Sequence, residues 1–163
     1  MTRRLLLFLL LALPLAAPAT ARPDPAAPVR AFLAAMTAKD RSAVAALIDD
    51  AAVFQYPFDR SGKTEAGSWR RFTGRDAVLT GYVDGAFAKI ARIGWTEADF
   101  TPSADGRTVF VEARGDMLLA TGAVYRNRYV LRFDLHRGRI RGMKEYMNPV
   151  TAALAAGLPL GKP

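Results

Sequence analysis

Glu145 sits between Met143 and Met147 at alternate positions, and Asn127 sits between Tyr125 and Tyr129. Alternate residues of an extended chain share one face, so a carboxyl and an amide each interrupt an otherwise apolar row. A buried polar group costs free energy unless it finds a partner. Such groups on an inward face point to the lining of a cavity. A carboxyl stripped of water, with no cation beside it, has a raised pKa and can act as general acid or base near neutral pH. Other chemistries find no footing in the chain. The only histidine, His136, lies at a turn without companion metal ligands. The absence of cysteine removes disulfides and thiolate chemistry. Dinucleotide-binding, phosphate-loop, zinc-protease and serine-hydrolase motifs are missing. Neither a metal nor a cofactor is expected.

Whether Glu145 faces a cavity depends on strand register. Residues 125–135 alternate: Tyr125, Asn127, Tyr129, Leu131, Phe133 and Leu135 share one face, and Arg126, Arg128, Arg132 and Asp134 share the other. A turn over His136–Arg139 leads to a second long strand that stops at Asn148-Pro149. Regular pairing from Leu135 with Ile140 would set Glu145 among Arg128 and Arg132 and turn Lys144 inward. A one-residue bulge at Arg141-Gly142 instead keeps Ile140 inside and brings Met143, Glu145 and Met147 onto the face of Leu131, Tyr129 and Asn127. It buries the methionines and no lysine, and is the expected arrangement. The expected site is Glu145 with Tyr56, Trp69, Asn127, Tyr129, Met143 and Met147 as ligand-binding lining. For Glu145 catalysis, ligand anchoring and a structural hydrogen bond all stay open. For Asn127 a buried structural amide competes with ligand contact, and the aromatic residues fit a core as well as a ligand platform.

The remaining elements follow from periodicity and punctuation. Val29, Phe32, Leu33 and Met36 fall on one helical stripe, and a short second helix follows Asp40 or Ser42 as cap, carrying Val44, Leu47 and Ile48 inward. Residues 53–57 read as a strand ended by Pro57, and 59–68 as a loop or lid. Thr73-Gly74-Arg75-Asp76 fits a capping box that opens a third helix. Along that helix Val78, Tyr82, Ala86 and Ile90 make one stripe, and Gly81 and Gly85 are spaced for close approach to the sheet. Strands near 93–101 and 107–117 flank the hairpin signal Asp105-Gly106. Helices followed by an antiparallel meander make an α+β domain.

At the N-terminus Arg3-Arg4, a leucine-rich apolar run over 5–13 and Ala19-Thr20-Ala21 have the layout of a secretory signal peptide. The expected organisation is a signal peptide over 1–21, a proline-rich linker over 22–28, a domain over 29–156 and a tail over 157–163. Export to the periplasm or the exterior follows, by the general secretory or the twin-arginine route, with no permanent membrane span after cleavage. The net charge of +8 falls to +6 when Arg3 and Arg4 leave. Its arginines are dispersed, and no nucleic-acid-binding pattern accompanies them.

The segments Phe54-Gln55-Tyr56-Pro57, Phe72 through Val78, Tyr125 through Tyr129, and Gly138 through Pro149 together resemble the SnoaL-like branch of the nuclear transport factor 2-like superfamily. That group includes ketosteroid isomerases, polyketide cyclases and phenazine biosynthesis A/B proteins. The resemblance spans roughly residues 29–156. It implies a cone-shaped domain with three N-terminal helices packed on a strongly curved mixed, mainly antiparallel β-sheet, and a pocket between them. Lys144-Glu145-Tyr146-Met147-Asn148 is similar to a segment of the phenazine proteins whose glutamate is implicated in acid–base work, which implies such a role for Glu145. Asn148 stands where many relatives carry aspartate, and an amide cannot serve as a base. Three functions stay open: an exported protein binding a small hydrophobic or aromatic molecule, a cofactor-independent isomerase, dehydratase or cyclase using Glu145, and a non-catalytic accessory subunit. A homodimer through the sheet is also expected, since relatives with this fold commonly pair that way.

Overall fold

The computed structural model describes residues 24–58, 63 and 65–159. The expected signal peptide, the start of the linker, most of the 59–64 loop and residues 160–163 lie outside that range. Helix α1 (Ala27–Ala38) starts with proline in its first turn and buries Val29, Phe32, Leu33 and Met36, the stripe its periodicity predicts. Phe32 packs edge-on against Phe54 and Phe133, with ring centroids 5.9 and 5.6 Å away. Each such side chain fully withdrawn from water contributes about 1.5–3 kcal/mol. Helix α2 (Arg41–Leu47) is capped by Asp40, whose carboxylate accepts the Ala43 N–H at 2.9 Å.

Seven strands form one sheet: β1 (Ile48–Tyr56), β2 (Arg70–Thr73), β3 (Ile90–Arg92), β4 (Trp95–Pro102), β5 (Thr108–Leu119), β6 (Val124–His136) and β7 (Arg139–Met147). Their order is β2-β1-β7-β6-β5-β3, with β4 also pairing β5. Among the described residues only the β1–β7 pairing is parallel. The sheet is strongly curled and mixed, and the class is α+β with the cone shape expected. Register shifts interrupt four of the pairings, and each such irregularity bends a strand and adds twist.

The third helical stretch runs without a break through α3 (Arg75–Ala77), a π-helical segment (Val78–Val83) and α4 (Asp84–Lys89). The predicted capping box does not form. Gly74 is the cap, with φ of 89°, and no side chain bonds the free amides, because Thr73 is taken up as the last residue of β2. A further helix, α5 (Pro149–Ala155), follows the sheet and was not anticipated. Asn148 caps it, its side-chain oxygen accepting the Val150 and Thr151 N–H groups at 3.0 and 3.3 Å. Among the described residues no helix is long and apolar enough to cross a membrane.

The β6–β7 hairpin decides the register question. His136 pairs with Arg139 around Arg137 and Gly138, both with left-handed φ (51° and 74°), the two-residue turn suited to twisted hairpins. Leu135 pairs with Ile140, but Asp134 pairs with Gly142, so Arg141 is the extra residue. Leu131 then opposes Glu145 and Tyr129 opposes Met147. The bulged Arg141 reaches Asp49 on β1 at 3.3 Å. Gly142 eases the close approach of β6: a Cβ there would lie 3.1 Å from the Asp134 carboxylate, which would have to shift slightly.

Candidate functional site

Glu145 is 7% exposed, and Tyr82 of the π-helical segment donates its hydroxyl to Oε2 at 2.8 Å. No second hydrogen bond to this carboxyl comes from the described residues. Burial pushes its pKa up to about 7, while the Tyr82 hydrogen bond and the positive charge of Arg70 pull the other way. Desolvation wins, so the group sits between its two charge states near neutral pH.

Beside this carboxyl opens a cavity of about 510 Å³. Met36, Tyr82, Gly85 and Ala86 form its helical wall, the inner faces of β5, β6 and β7 form its floor, and Ala152, Ala155 and Ala156 reach it from α5 and just beyond. Glycine and alanine keep these walls back, which is where the volume comes from. Gly85 has nothing near its would-be Cβ, whereas Gly81 lies directly against the Phe72 ring of β2. Of the close approach expected for both glycines, Gly81 provides it and Gly85 instead leaves room.

The aromatic lining is held by polar contacts at its rim. Tyr129 donates to the Tyr125 hydroxyl at 3.0 Å, Asn127 donates to the same oxygen at 2.9 Å, and Tyr125 lies 3.4 Å from the Met147 sulfur. Burial raises the Tyr56, Tyr82, Tyr125 and Tyr129 phenols above their ordinary value. They therefore act as neutral donors and acceptors. Trp95 lines the same wall, edge-on to Tyr129 at 5.2 Å.

Four residues named from the sequence line this cavity: Glu145, Tyr56, Tyr129 and Met147. Three do not. Trp69 stands beside Lys144, whose ammonium is 5.3 Å from its ring; since β7 alternates, the neighbour of Lys144 is on the opposite face from Glu145. Met143 is buried at 1% in the core but does not reach the cavity wall. Asn127 spends its amide structurally: Nδ2 donates to Tyr125 and to the Asn148 carbonyl, and Oδ1 accepts the Arg128 and Asn148 N–H groups. It ties β6 to the start of α5.

Among the wall residues that went unnoticed in the sequence, Tyr82 and Arg70 matter most for the carboxyl. Tyr82 was assigned only to a helical stripe, although a phenol on a buried face needs a partner for its hydroxyl. Arg70 is on the four-residue strand β2, too short to show a periodic pattern; register pairs it with Tyr56, and its guanidinium lies 3.9 Å from that ring centroid. Among the described residues no three His, Cys, Asp or Glu side chains converge as a metal site.

This architecture recurs among known proteins. A SnoaL-like domain model matches residues 29–143. The uncharacterised Bacillus subtilis protein YesE is 31% identical over 130 residues, covering 79% of this chain and 84% of its own. A Bacillus subtilis crystal structure provisionally named an isomerase superposes with a TM-score of 0.70 at 29% identity, over 85% of this chain and 96% of that one. A phenazine biosynthesis-related protein from Pseudomonas aeruginosa has a TM-score of 0.66 at 18% identity, covering 85% and 91%, and shares the fold. With a matching domain model over most of its length, the chain belongs to the SnoaL-like family.

Proposed function

We propose that the cavity binds a small, mainly apolar organic molecule and that Glu145 exchanges a proton with it, in a cofactor-independent reaction of the isomerisation or dehydration type. The observation that carries this reading is a single buried carboxyl in a mainly apolar wall, fixed by one hydrogen bond from Tyr82. Ionised, Glu145 takes a proton from an activated C–H of the bound molecule. Protonated, it returns that proton to another atom of the same molecule. Tyr82 holds the carboxyl in place through both states, and the surrounding alanines, methionines and tyrosines keep that carboxyl largely out of water. The similarity to a protein provisionally named an isomerase supports this class of reaction.

A neutral probe of fitting size, 5-nitrobenzisoxazole, tests it, because its ring opens when a base removes its C3 proton. The protein should accelerate that opening, with a rate that rises as pH passes through about 7 and Glu145 ionises. Glu145→Gln should keep the fold and lose the acceleration by roughly 100-fold or more. A rate equal to buffer, or one that survives the substitution, would overturn the proposal.

The domain is further proposed to act outside the cytoplasm, on the strength of the leader pattern of residues 1–21, and to pair through its outer sheet face. N-terminal sequencing of the exported protein should begin at Arg22; a retained leader in the membrane fraction would refute the export reading.

A further inference from the structure

We infer that Arg70 is the binding point for a carboxylate on the ligand, so that the cavity takes an amphiphilic acid with its apolar body inside. The inference rests on the cavity being the binding site, as proposed above, and adds the class of ligand.

The charges of the wall are its basis. Nine of the 14 arginines among the described residues meet an acid; Arg114 and Arg128, for example, share Glu97, and Arg92 and Arg126 share Asp116. Arg70 lines the cavity and has no carboxylate in ion-pair range among the described residues. Its guanidinium lies over the Tyr56 ring at 3.9 Å and 5.7 Å from the Phe72 centroid. A guanidinium held against aromatic faces keeps its planar fork of N–H donors at the edge, the geometry that grips a carboxylate through two parallel bonds. The other charged wall residues are Lys89 of α4 and Glu145. The lining therefore holds two cations against one carboxyl that is half neutralised near pH 7. A neutral ligand would leave that surplus unanswered, and a cationic one would oppose it. The net positive charge of the chain, +6 without Arg3 and Arg4, draws anions in the same direction.

Arg70 is exposed on an edge strand, so its replacement leaves the core intact. The experiment compares two probes of one shape by calorimetry, 2-naphthoate and its neutral amide 2-naphthamide, on the intact protein near pH 6. Naphthoate should bind about tenfold tighter or better. Arg70→Gln should abolish that preference, naphthoate losing about tenfold or more in affinity beyond any loss for naphthamide. Arg70→Lys should retain part of it, keeping the charge without the fork, and Lys89→Gln should leave most of it. Equal affinity for the two probes in the native protein, or a preference that survives Arg70→Gln, overturns the carboxylate subsite alone. A preference lost in Lys89→Gln and kept in Arg70→Gln assigns it to the wrong residue and overturns it too. Failure of both probes to bind removes the cavity reading, and this inference with it.

Discussion

The Glu145 carboxyl makes a prediction about stability. Its ordinary value is 4.5 and the folded protein raises it to about 7, so the folded state holds a proton that the unfolded chain has released. The contribution of Glu145 to stability is then full below about 4.5, falls as pH rises from there to about 7, and levels off above. The groups around it do not cancel this trend: the Tyr56, Tyr82, Tyr125 and Tyr129 phenols stay neutral, and Arg70 and Lys89 are cations at the wall. The span corresponds to about 3 kcal/mol. Urea unfolding at the two ends of that window should show the native protein losing stability toward higher pH and Glu145→Gln losing less, by up to that amount. An identical pH dependence in both would mean the carboxyl is solvated. The position of Glu145 was legible because one bulge alone satisfied both methionines and Lys144. Its partner Tyr82 was not, since nothing in a helical stripe tells which distant strand a phenol will meet.

At the scale of elements, the long periodic segments were the readable ones. The β6–β7 hairpin, the β4–β5 hairpin at Gly106 (φ 69°) and the α1 stripe match their patterns. Short edge strands β2 and β3 escaped because four and three residues cannot establish a period. The misassignment of Trp69 follows from that omission, since the strand it precedes sets which side of the sheet it meets. Helix α5 escaped because Asn148-Pro149 was taken as a stop, although proline suits the first turn of a helix and asparagine its cap. The two glycines of the third helical stretch should now behave oppositely. Gly81→Ala drives a methyl into the Phe72 ring and should cost about 1–3 kcal/mol. Gly85→Ala meets open space in helical backbone and should gain about 1 kcal/mol. Thermal unfolding of the two variants checks this, and equal shifts would show that Phe72 moves aside freely.

The whole molecule puts an apolar strip on its outer surface: Phe58, 52% exposed, packs edge-on to Tyr146 at 5.5 Å, and Tyr146 pairs with the exposed Val130. This strip supports the proposed pairing through the sheet, with Arg128 and Glu97 already joined beside it at 2.6 Å so that the like charges of two copies are partly offset. Light scattering at tens of micromolar, roughly the range that populates micromolar complexes, should give the mass of two chains, and a single-chain mass at that concentration would contradict it. The central claim is that cavity and carboxyl form one site, and carbon-13 NMR of the Glu145 side-chain carboxyl in the intact protein tests it most directly. The resonance should titrate near pH 7 and shift its midpoint when 2-naphthamide fills the cavity. A midpoint near 4.5, unmoved by the bound amide, would show a solvated carboxyl with no part in the site.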